Sequence, residues 1–156
     1  MKTVREILAS KGYDICSVPP DDTIFNALKL MAEKKIGAIL VIEKGEIVGI
    51  MSERDYARKV VLEGKSSKDS KVSDIMSNKV IYVGTDTMVE ECMALMIEKR
   101  IRHLPVLENN ELMGIISIGD VVKAVIDEKE FVISQLVHYI KSTPEILEDS
   151  RKAEPA

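Results

Sequence analysis

Residues 49–55 read GIMSERD, and a near copy, GIISIGD, occupies residues 114–120. Each copy is a short apolar run that ends in Ser-x-x-Asp and is followed by an amphipathic segment. This pattern predicts a buried strand that runs directly into the N-terminus of a helix. The two serine and aspartate pairs are Ser52 with Asp55, and Ser117 with Asp120.

Two explanations of this turn stay open. As a capping box, the serine accepts from free N–H groups of the first helical turn, and the aspartate favours the positive end of the helix dipole. That explains a single copy. Two copies in register favour a further role, because the same N–H groups attract an anion and an aspartate can accept hydrogen bonds from both hydroxyls of a ribose.

The second half of the chain repeats the first half at a constant offset of 65 residues, the separation of Asp55 and Asp120. No gap is needed between the Val18/Val83 pair and the Val60/Val125 pair. An apolar helical stripe recurs at the same offset, which indicates one fold unit present twice. The stripe consists of Ile24, Ala27, Leu28 and Met31 in the first copy, and of Val89, Cys92, Met93 and Met96 in the second.

Each unit is predicted to be a strand, a helix, a two-stranded hairpin and a second helix. In the first unit these are a strand at 15–18, a helix ended by Gly37, strands at 38–42 and 46–51, and a helix at 53–62 with Tyr56, Val60 and Val61 facing inward. The predicted organisation is a first repeat at 1–65, a linker at 66–71, a second repeat at 72–127, and a C-terminal helix and flexible tail at 128–156.

Composition narrows the functional class. The chain has 156 residues, of which 46% are hydrophobic and 31% charged, and a net charge of −4. An acidic chain of this kind argues against a nucleic-acid groove. It has no apolar run of membrane-spanning length and no apolar core of a signal peptide, so a cytoplasmic location is expected.

No catalytic or metal constellation is visible in the sequence. Cys16 and Cys92 are far apart and lack metal or redox spacing, and Cys92 is predicted to be a buried small hydrophobe. His103 and His138 are the only imidazoles. We therefore expect neither an enzyme nor a metal site.

The C-terminal region has a different pattern. Residues 128–141 are predicted to form a helix with a broad apolar face that packs either on its own domain or against a second copy of the chain. Residues 143–156 are predicted to lack stable structure.

The doubled unit resembles the tandem cystathionine-β-synthase domain pair, or CBS pair. The resemblance covers residues 1 to about 127 and includes IRHLPV at 101–106, VSDIMS at 72–77 and SERDYAR at 52–58. It implies an α/β (α+β) fold of two pseudo-symmetric β-α-β-β-α repeats packed through their sheets. It also implies two clefts for adenosine-containing ligands, a homodimer, and a sensing role on another protein.

The resemblance also assigns candidate residues. The ribose and phosphate positions fall on Ser52, Asp55, Ser117 and Asp120, and the strand ends beside the adenine on Ile50 and Ile115. Because each cleft is completed by the opposite repeat, Asp55 is expected to face Arg102 and His103, with Thr87 nearby, and Asp120 to face Gly37 and Ala38.

These assignments predict two unequal clefts. The first gathers Arg54, Arg102 and an imidazole that could be protonated beside a phosphate, and guanidinium groups bind phosphate through paired hydrogen bonds. The second cleft offers almost no charge, so it is expected to be weaker, empty or suited to a less anionic ligand.

The leading functional hypothesis is a non-catalytic regulatory module that binds an adenine nucleotide such as AMP, ADP, ATP or NAD and acts on an unidentified effector protein. The alternative is a dimerising scaffold without a ligand. An enzyme ranks last, because no base lies near a nucleophile.

Overall fold

The computed structural model describes residues 2–141. The first unit comprises β1 (Ser17–Val18), α2 (Ile24–Lys34), β2 (Ala38–Glu43), β3 (Glu46–Ser52) and α3 (Glu53–Tyr56), preceded by α1 (Val4–Lys11). The second comprises β4 (Val83–Gly84), α4 (Val89–Lys99), β5 (His103–Glu108), β6 (Glu111–Ser117) and α5 (Ile118–Lys141), preceded by a 3-10 turn, Val72–Asp74. The doubled β-α-β-β-α order and the mixed α/β class are confirmed.

The two sheets have the same topology. In each, the first strand pairs in parallel with the second, which forms an antiparallel hairpin with the third. Ala38 pairs with Ser52, and His103 pairs with Ser117, so the register follows the predicted offset. Each hairpin has a bulge after its fourth pair. These pairings place the start of each hairpin beside the serine of its own Ser-x-x-Asp turn.

The helix that follows β3 differs from the predicted one. Glu53–Tyr56 is α-helical, but Ala57–Val61 continues as a π-helix. Val60 is buried as predicted, whereas Val61 is 54% exposed and does not face inward. The wider π turn changes the angle per residue, which moves Val61 out of the stripe that a regular α-helix would give.

The segments that precede each unit pack on the opposite unit. Val4, Ile7 and Leu8 of α1 lie in one apolar core with residues of the second sheet, such as Leu104 and Ile116. The 3-10 turn does the reverse, because Val72 and Ile75 lie in the core of the first unit with Met51. Backbone hydrogen bonds also hold these segments on the opposite unit. The N–H of Ile50 donates to the carbonyl of Ser77, for example, and the N–H of Ser77 donates to the carbonyl of Ile50.

Two glycines allow this exchange. A Cβ on Gly114 would lie 2.9 Å from Cδ2 of Leu8, and a Cβ on Gly49 would lie 2.6 Å from Sδ of Met76 and 3.0 Å from the carbonyl oxygen of Ser77. A Cβ at Gly114 would force the Leu8 side chain to shift, and a Cβ at Gly49 would also crowd the backbone of the crossing segment. The glycine of each copied motif is therefore a close-approach position.

The C-terminal helix is continuous with the second unit. The structure shows one helix, Ile118–Lys141, where the sequence predicted a separate helix from residue 128. No glycine or proline interrupts residues 120–141, so no residue ends the first helix. Among the described residues, those from 129 onward are all exposed, including Phe131 at 64% and Leu136 at 58%. The prediction for residues 143–156 lies outside the described residues.

Candidate functional site

A cavity of about 400 Å³ lies where the N-terminus of α3 meets the start of β5 and the segment after the 3-10 turn. We call it the Asp55 cavity. Its volume is within the range of small-molecule sites. The residues that line it are Gly37, Ala38, Ile50, Ser52, Glu53, Arg54, Asp55, Arg58, Ser77, Lys79, Val80, Ile81, Arg100, Ile101, Arg102, His103 and Pro105. The structure thus brings together the predicted first-cleft residues, with the exception of Thr87.

The carboxylate of Asp55 is held by a capping box. Its Oδ2 accepts from the backbone N–H of Ser52 at 2.9 Å and from the Ser52 hydroxyl at 3.0 Å, while the backbone N–H of Asp55 donates to Ser52 Oγ at 3.2 Å. Oδ1 lies 3.4 Å from Nζ of Lys59, one helical turn later. These contacts fix the carboxylate at the cavity edge, and Oδ1 can accept from a further donor.

Cationic side chains dominate the charged lining. Arg54, Arg58, Lys79, Arg100 and Arg102 line the Asp55 cavity, against the two carboxylates of Glu53 and Asp55. With a neutral imidazole, the local balance is three positive charges in a chain whose net charge is −4. Such a cluster attracts phosphate or another polyanion.

Sequence reasoning missed three of these cations. Arg58 lies one turn after Arg54 on the same helix, a spacing that could have identified it. Arg100 is the C-cap of α4 in the left-handed conformation, and Lys79 follows the exchanged 3-10 turn. No local pattern places these two beside Asp55, because the contact depends on how the units pack.

The remaining wall is apolar. Ile50 comes from β3, Val80 and Ile81 from the segment before β4, and Ile101 and Pro105 from the region of β5. Aliphatic side chains on several elements can enclose a flat ring by dispersion and exclusion of water. One cavity therefore combines a surface for a planar apolar group with a carboxylate and a set of cations.

His103 lies between the two repeats. Its side chain lines the Asp55 cavity, and a Cβ on Gly37 would lie 3.6 Å from its Cε1 and Nε2. Burial lowers the pKa of His103, the charges of Lys11 and Arg102 lower it further, and Asp120 opposes them. This surrounding favours the neutral form of the imidazole, and its protonation beside a phosphate stays a prediction.

The second Ser-x-x-Asp turn has the same cap but a different cation. Oδ2 of Asp120 accepts from the backbone N–H of Ser117 at 2.8 Å, and the N–H of Asp120 donates to Ser117 Oγ at 3.2 Å. Lys11 Nζ donates to the same Oδ2 at 2.7 Å and to the carbonyl oxygen of Ile115 at 2.7 Å. The expectation that this cleft lacks charge is wrong, because the exchanged α1 brings a lysine into it.

The pKa of Asp120 reflects the competition between burial and hydrogen bonding at this turn. Burial acts to raise that pKa, but the hydrogen bonds from Lys11 and from Ser117 outweigh burial and lower it below its ordinary value. Asp120 is accordingly an ionised carboxylate whose Oδ2 accepts from both Lys11 and Ser117.

Three further predicted positions are corrected. Gly37 and Ala38 line the Asp55 cavity, although we expected them to face Asp120. The reason is strand pairing, since Ala38 pairs with Ser52 of its own hairpin and the Gly37 carbonyl accepts from Glu53 N–H at 3.0 Å. Thr87 lies instead in a shallow depression with Tyr82 and Glu91, where its hydroxyl accepts from the Gly84 N–H at 3.2 Å.

The described residues show neither a metal-ligand cluster nor a membrane-spanning helix, and Cys92 is a core residue. Within residues 2–141, no three His, Cys, Asp or Glu side chains are grouped to hold a metal ion. Cys92 is buried, and its burial raises the pKa of the thiol to about 11, as expected of a core cysteine rather than a nucleophile. No helix in the described part of the chain is long and apolar enough to cross a membrane.

Known proteins share both the sequence pattern and the fold. The CBS domain family model matches residues 4–62 and again residues 72–127. A relative from Arabidopsis thaliana, the CBS domain-containing protein CBSX3, mitochondrial, is 41% identical over 150 residues, which is 89% of this chain and 72% of that protein.

Solved structures give the same result. A protein from Burkholderia ambifaria MC40-6, described as a signal-transduction protein with CBS domains, is 53% identical with a TM-score of 0.79, over 81% of this chain and 95% of that one. The CBS domain pair of protein MJ0100, solved in complex with 5'-methylthioadenosine and S-adenosyl-L-methionine, has a TM-score of 0.72 over 82% of this chain and 98% of that one. At 21% identity, this second likeness shows the fold alone.

Proposed function

Since the chain belongs to the CBS-domain family, whose paired domains are regulatory modules, we propose that it senses an anionic adenine nucleotide in the Asp55 cavity and acts on an effector protein. AMP, ADP, ATP and NAD are the candidate ligands. The observation that carries the proposal is the combination of a capped aspartate, an apolar wall and five cationic side chains around one cavity. We propose no catalytic step.

Each part of the cavity matches one part of such a nucleotide. Oδ1 of Asp55, which lies 3.4 Å from Nζ of Lys59, keeps acceptor capacity for ribose hydroxyls. The aliphatic residues that include Ile50 and Val80 would enclose the adenine. The arginine cluster would bind the phosphates. S-adenosylmethionine, which carries a sulfonium cation, suits the positive balance of this cavity less well than AMP or ATP does.

Isothermal titration with AMP tests this assignment. We expect Asp55→Ala to weaken binding by about 1.5–3 kcal/mol, roughly ten- to a hundredfold, because it removes a charged acceptor. Asp120→Ala is a matched control, since it removes the same kind of cap at the equivalent turn. Unchanged affinity in Asp55→Ala would remove the proposal, and ADP, ATP, NAD and S-adenosylmethionine titrated in parallel would rank the ligands.

An exposed apolar face favours a second candidate function. Phe131, Val132 and Leu136 are more than half exposed on α5, which argues against packing of this segment on the described part of its own domain. Exposed apolar patches of this kind usually meet a partner. We propose a homodimer through this face, and a ligand-independent dimerising scaffold is the alternative function. A thermal-shift panel that shows no stabilisation by any nucleotide would favour the scaffold, because a ligand at a hundred times its Kd adds about 2.7 kcal/mol.

The effector and the compartment also remain proposals. The cavity suits a small anion, and a net charge of −4 favours a partner other than nucleic acid. The cytoplasm is the compartment we propose, whereas the Arabidopsis relative is named as mitochondrial. Fluorescence microscopy of the tagged chain in its own host would distinguish the two.

A further inference from the structure

Lys11 binds the aspartate of the second Ser-x-x-Asp turn at 2.7 Å, which is closer than the 3.4 Å between Lys59 and Asp55 in the first. It is the last residue of α1, the helix that packs on the opposite unit. Its ammonium group donates to the Asp120 carboxylate and to the carbonyl of Ile115, each at 2.7 Å. Its side chain is 36% exposed and that of Asp120 is 24% exposed, so this ion pair is partly shielded from water.

The corresponding positions of the first cleft are arranged differently. The residue 65 positions after Lys11 is Met76, whose thioether lies against Gly49. There the Ile50 carbonyl accepts from the backbone N–H of Ser77 at 2.9 Å, and no side chain competes for it. The lysine near Asp55 is Lys59, on the turn that follows α3; its ammonium donates to the Ile75 carbonyl at 2.9 Å and not to the strand-end carbonyl of Ile50. The residue at the equivalent position of the second unit is Ala124, which cannot pair with Asp120. Each aspartate is therefore paired with one lysine, but the two lysines come from different elements.

This difference decides which cleft can accept a nucleoside. The ammonium of Lys11 holds both the carboxylate that would accept ribose hydroxyls and the strand-end carbonyl beside it. A nucleoside entering this cleft would have to displace a charged hydrogen bond, and such bonds are roughly twice as strong as neutral ones. A ribose hydroxyl is neutral and cannot replace the lost charge interaction.

We propose that Lys11 is a specificity-determining residue that fills the second cleft and restricts adenosine ligands to the Asp55 cavity. The identity of the excluded ligand rests on the proposed function. The closure itself rests on the two contacts of Lys11. Exchange of Lys11 for the residue of the first unit should open the second cleft to a neutral nucleoside.

Equilibrium dialysis with labelled adenosine tests this inference by counting sites per chain. Lys11→Met, which copies Met76, is expected to bind one adenosine more than the wild type at saturation. Lys29→Met, an exposed lysine on α2, is the charge-matched control and should bind as the wild type does. Addition of Asp120→Ala to Lys11→Met should remove the extra site, since Asp120 is the acceptor that Lys11 releases.

The outcomes separate this inference from the proposed function. An equal count in the wild type and Lys11→Met overturns the role of Lys11, whether or not the Asp55 cavity binds. No binding by the wild type with one site in Lys11→Met supports the role of Lys11 and refutes the proposed first site. Lys11→Gln provides a second variant, and a circular dichroism melt establishes that each variant is folded.

A second measurement needs no nucleotide. His103 faces Lys11, Asp120 and Arg102, and Lys11 lowers the pKa of its imidazole. Lys11→Met removes that cation and leaves the Asp120 charge unpaired, so an NMR titration should show the pKa of His103 rising. His138 is the only other imidazole, and its distinct resonances provide the internal reference. An unchanged pKa of His103 would show that Lys11 does not occupy the cleft.

Discussion

Leu8 lies directly against Gly114: its Cδ2 is 2.9 Å from the point where a Cβ on that glycine would be. Leu8 is fully buried in the second core although it belongs to the segment that precedes the first unit. Contact between these two residues therefore belongs to the packing of α1 on the second unit.

Gly114→Ala should destabilise the protein by about 1–3 kcal/mol, because the added methyl group would lie 2.9 Å from a fully buried leucine side chain. Denaturant unfolding followed by circular dichroism measures the loss. Gly119→Ala is the control, since its nearest contact would be at 3.5 Å and alanine favours the helix. Equal stability of the two variants would contradict the close-approach role of Gly114.

Arg102→Met should weaken AMP binding by roughly ten- to a hundredfold, because a charged hydrogen bond to phosphate contributes about 1.5–3 kcal/mol. Arg102→Lys should recover part of the loss, since a lysine keeps the charge but not the paired geometry. Titration at low and at high salt adds a second criterion. If Arg102 binds phosphate, the wild type loses more affinity with salt than Arg102→Met does.

Protein stability should fall as the pH drops below the ordinary histidine value of 6.5, because the pKa of His103 is lowered in the folded state. The unfolded chain then takes up a proton before the folded chain does, which favours unfolding until the pH passes below the folded-state pKa. His103→Gln should reduce this dependence between pH 6.5 and the folded-state value, whereas His138→Gln should not. Chemical denaturation across this range measures it, and identical slopes for wild type and His103→Gln would disprove the assignment.

Leu136→Glu should convert the proposed dimer into a monomer, because it places a charge in the centre of the exposed apolar face of α5. Light scattering after gel filtration reports the mass. Ser134→Glu adds the same charge on the other side of the helix, about 160° from Leu136 at 100° per residue, and should leave the dimer intact. A monomeric wild type at micromolar concentration would contradict the proposed dimer.

Much of the fold could be predicted because its signals are local. The hairpin turns have positive φ angles at Gly45, Asn109 and Asn110, residue types that favour this conformation, and both Ser-x-x-Asp turns form caps. The 65-residue offset also gave the register of the second sheet from that of the first. Each of these features depends on residues that are neighbours in the chain or on a repeated pattern.

The rest depends on contacts between distant segments. The apolar positions Val4, Ile7 and Leu8 predict a buried helix but do not say which sheet covers it. For the same reason the sequence did not place Lys11 in the second cleft or Lys79 in the first, because both lie at the ends of segments that pack on the opposite unit. His103 was assigned a charged role for its position near arginines, and only its burial shows that the neutral form is favoured.

The crossing of α1 and of the 3-10 turn has a consequence for how the chain can be divided. Cleavage between the units would leave each sheet attached to a segment whose apolar side fits the other half, so neither fragment would be self-sufficient. Two fragments mixed together could reassemble by mutual complementation, and two copies of one half could do so by trading segments. The duplicated protein thus retains, within one polypeptide, the geometry of a swapped pair.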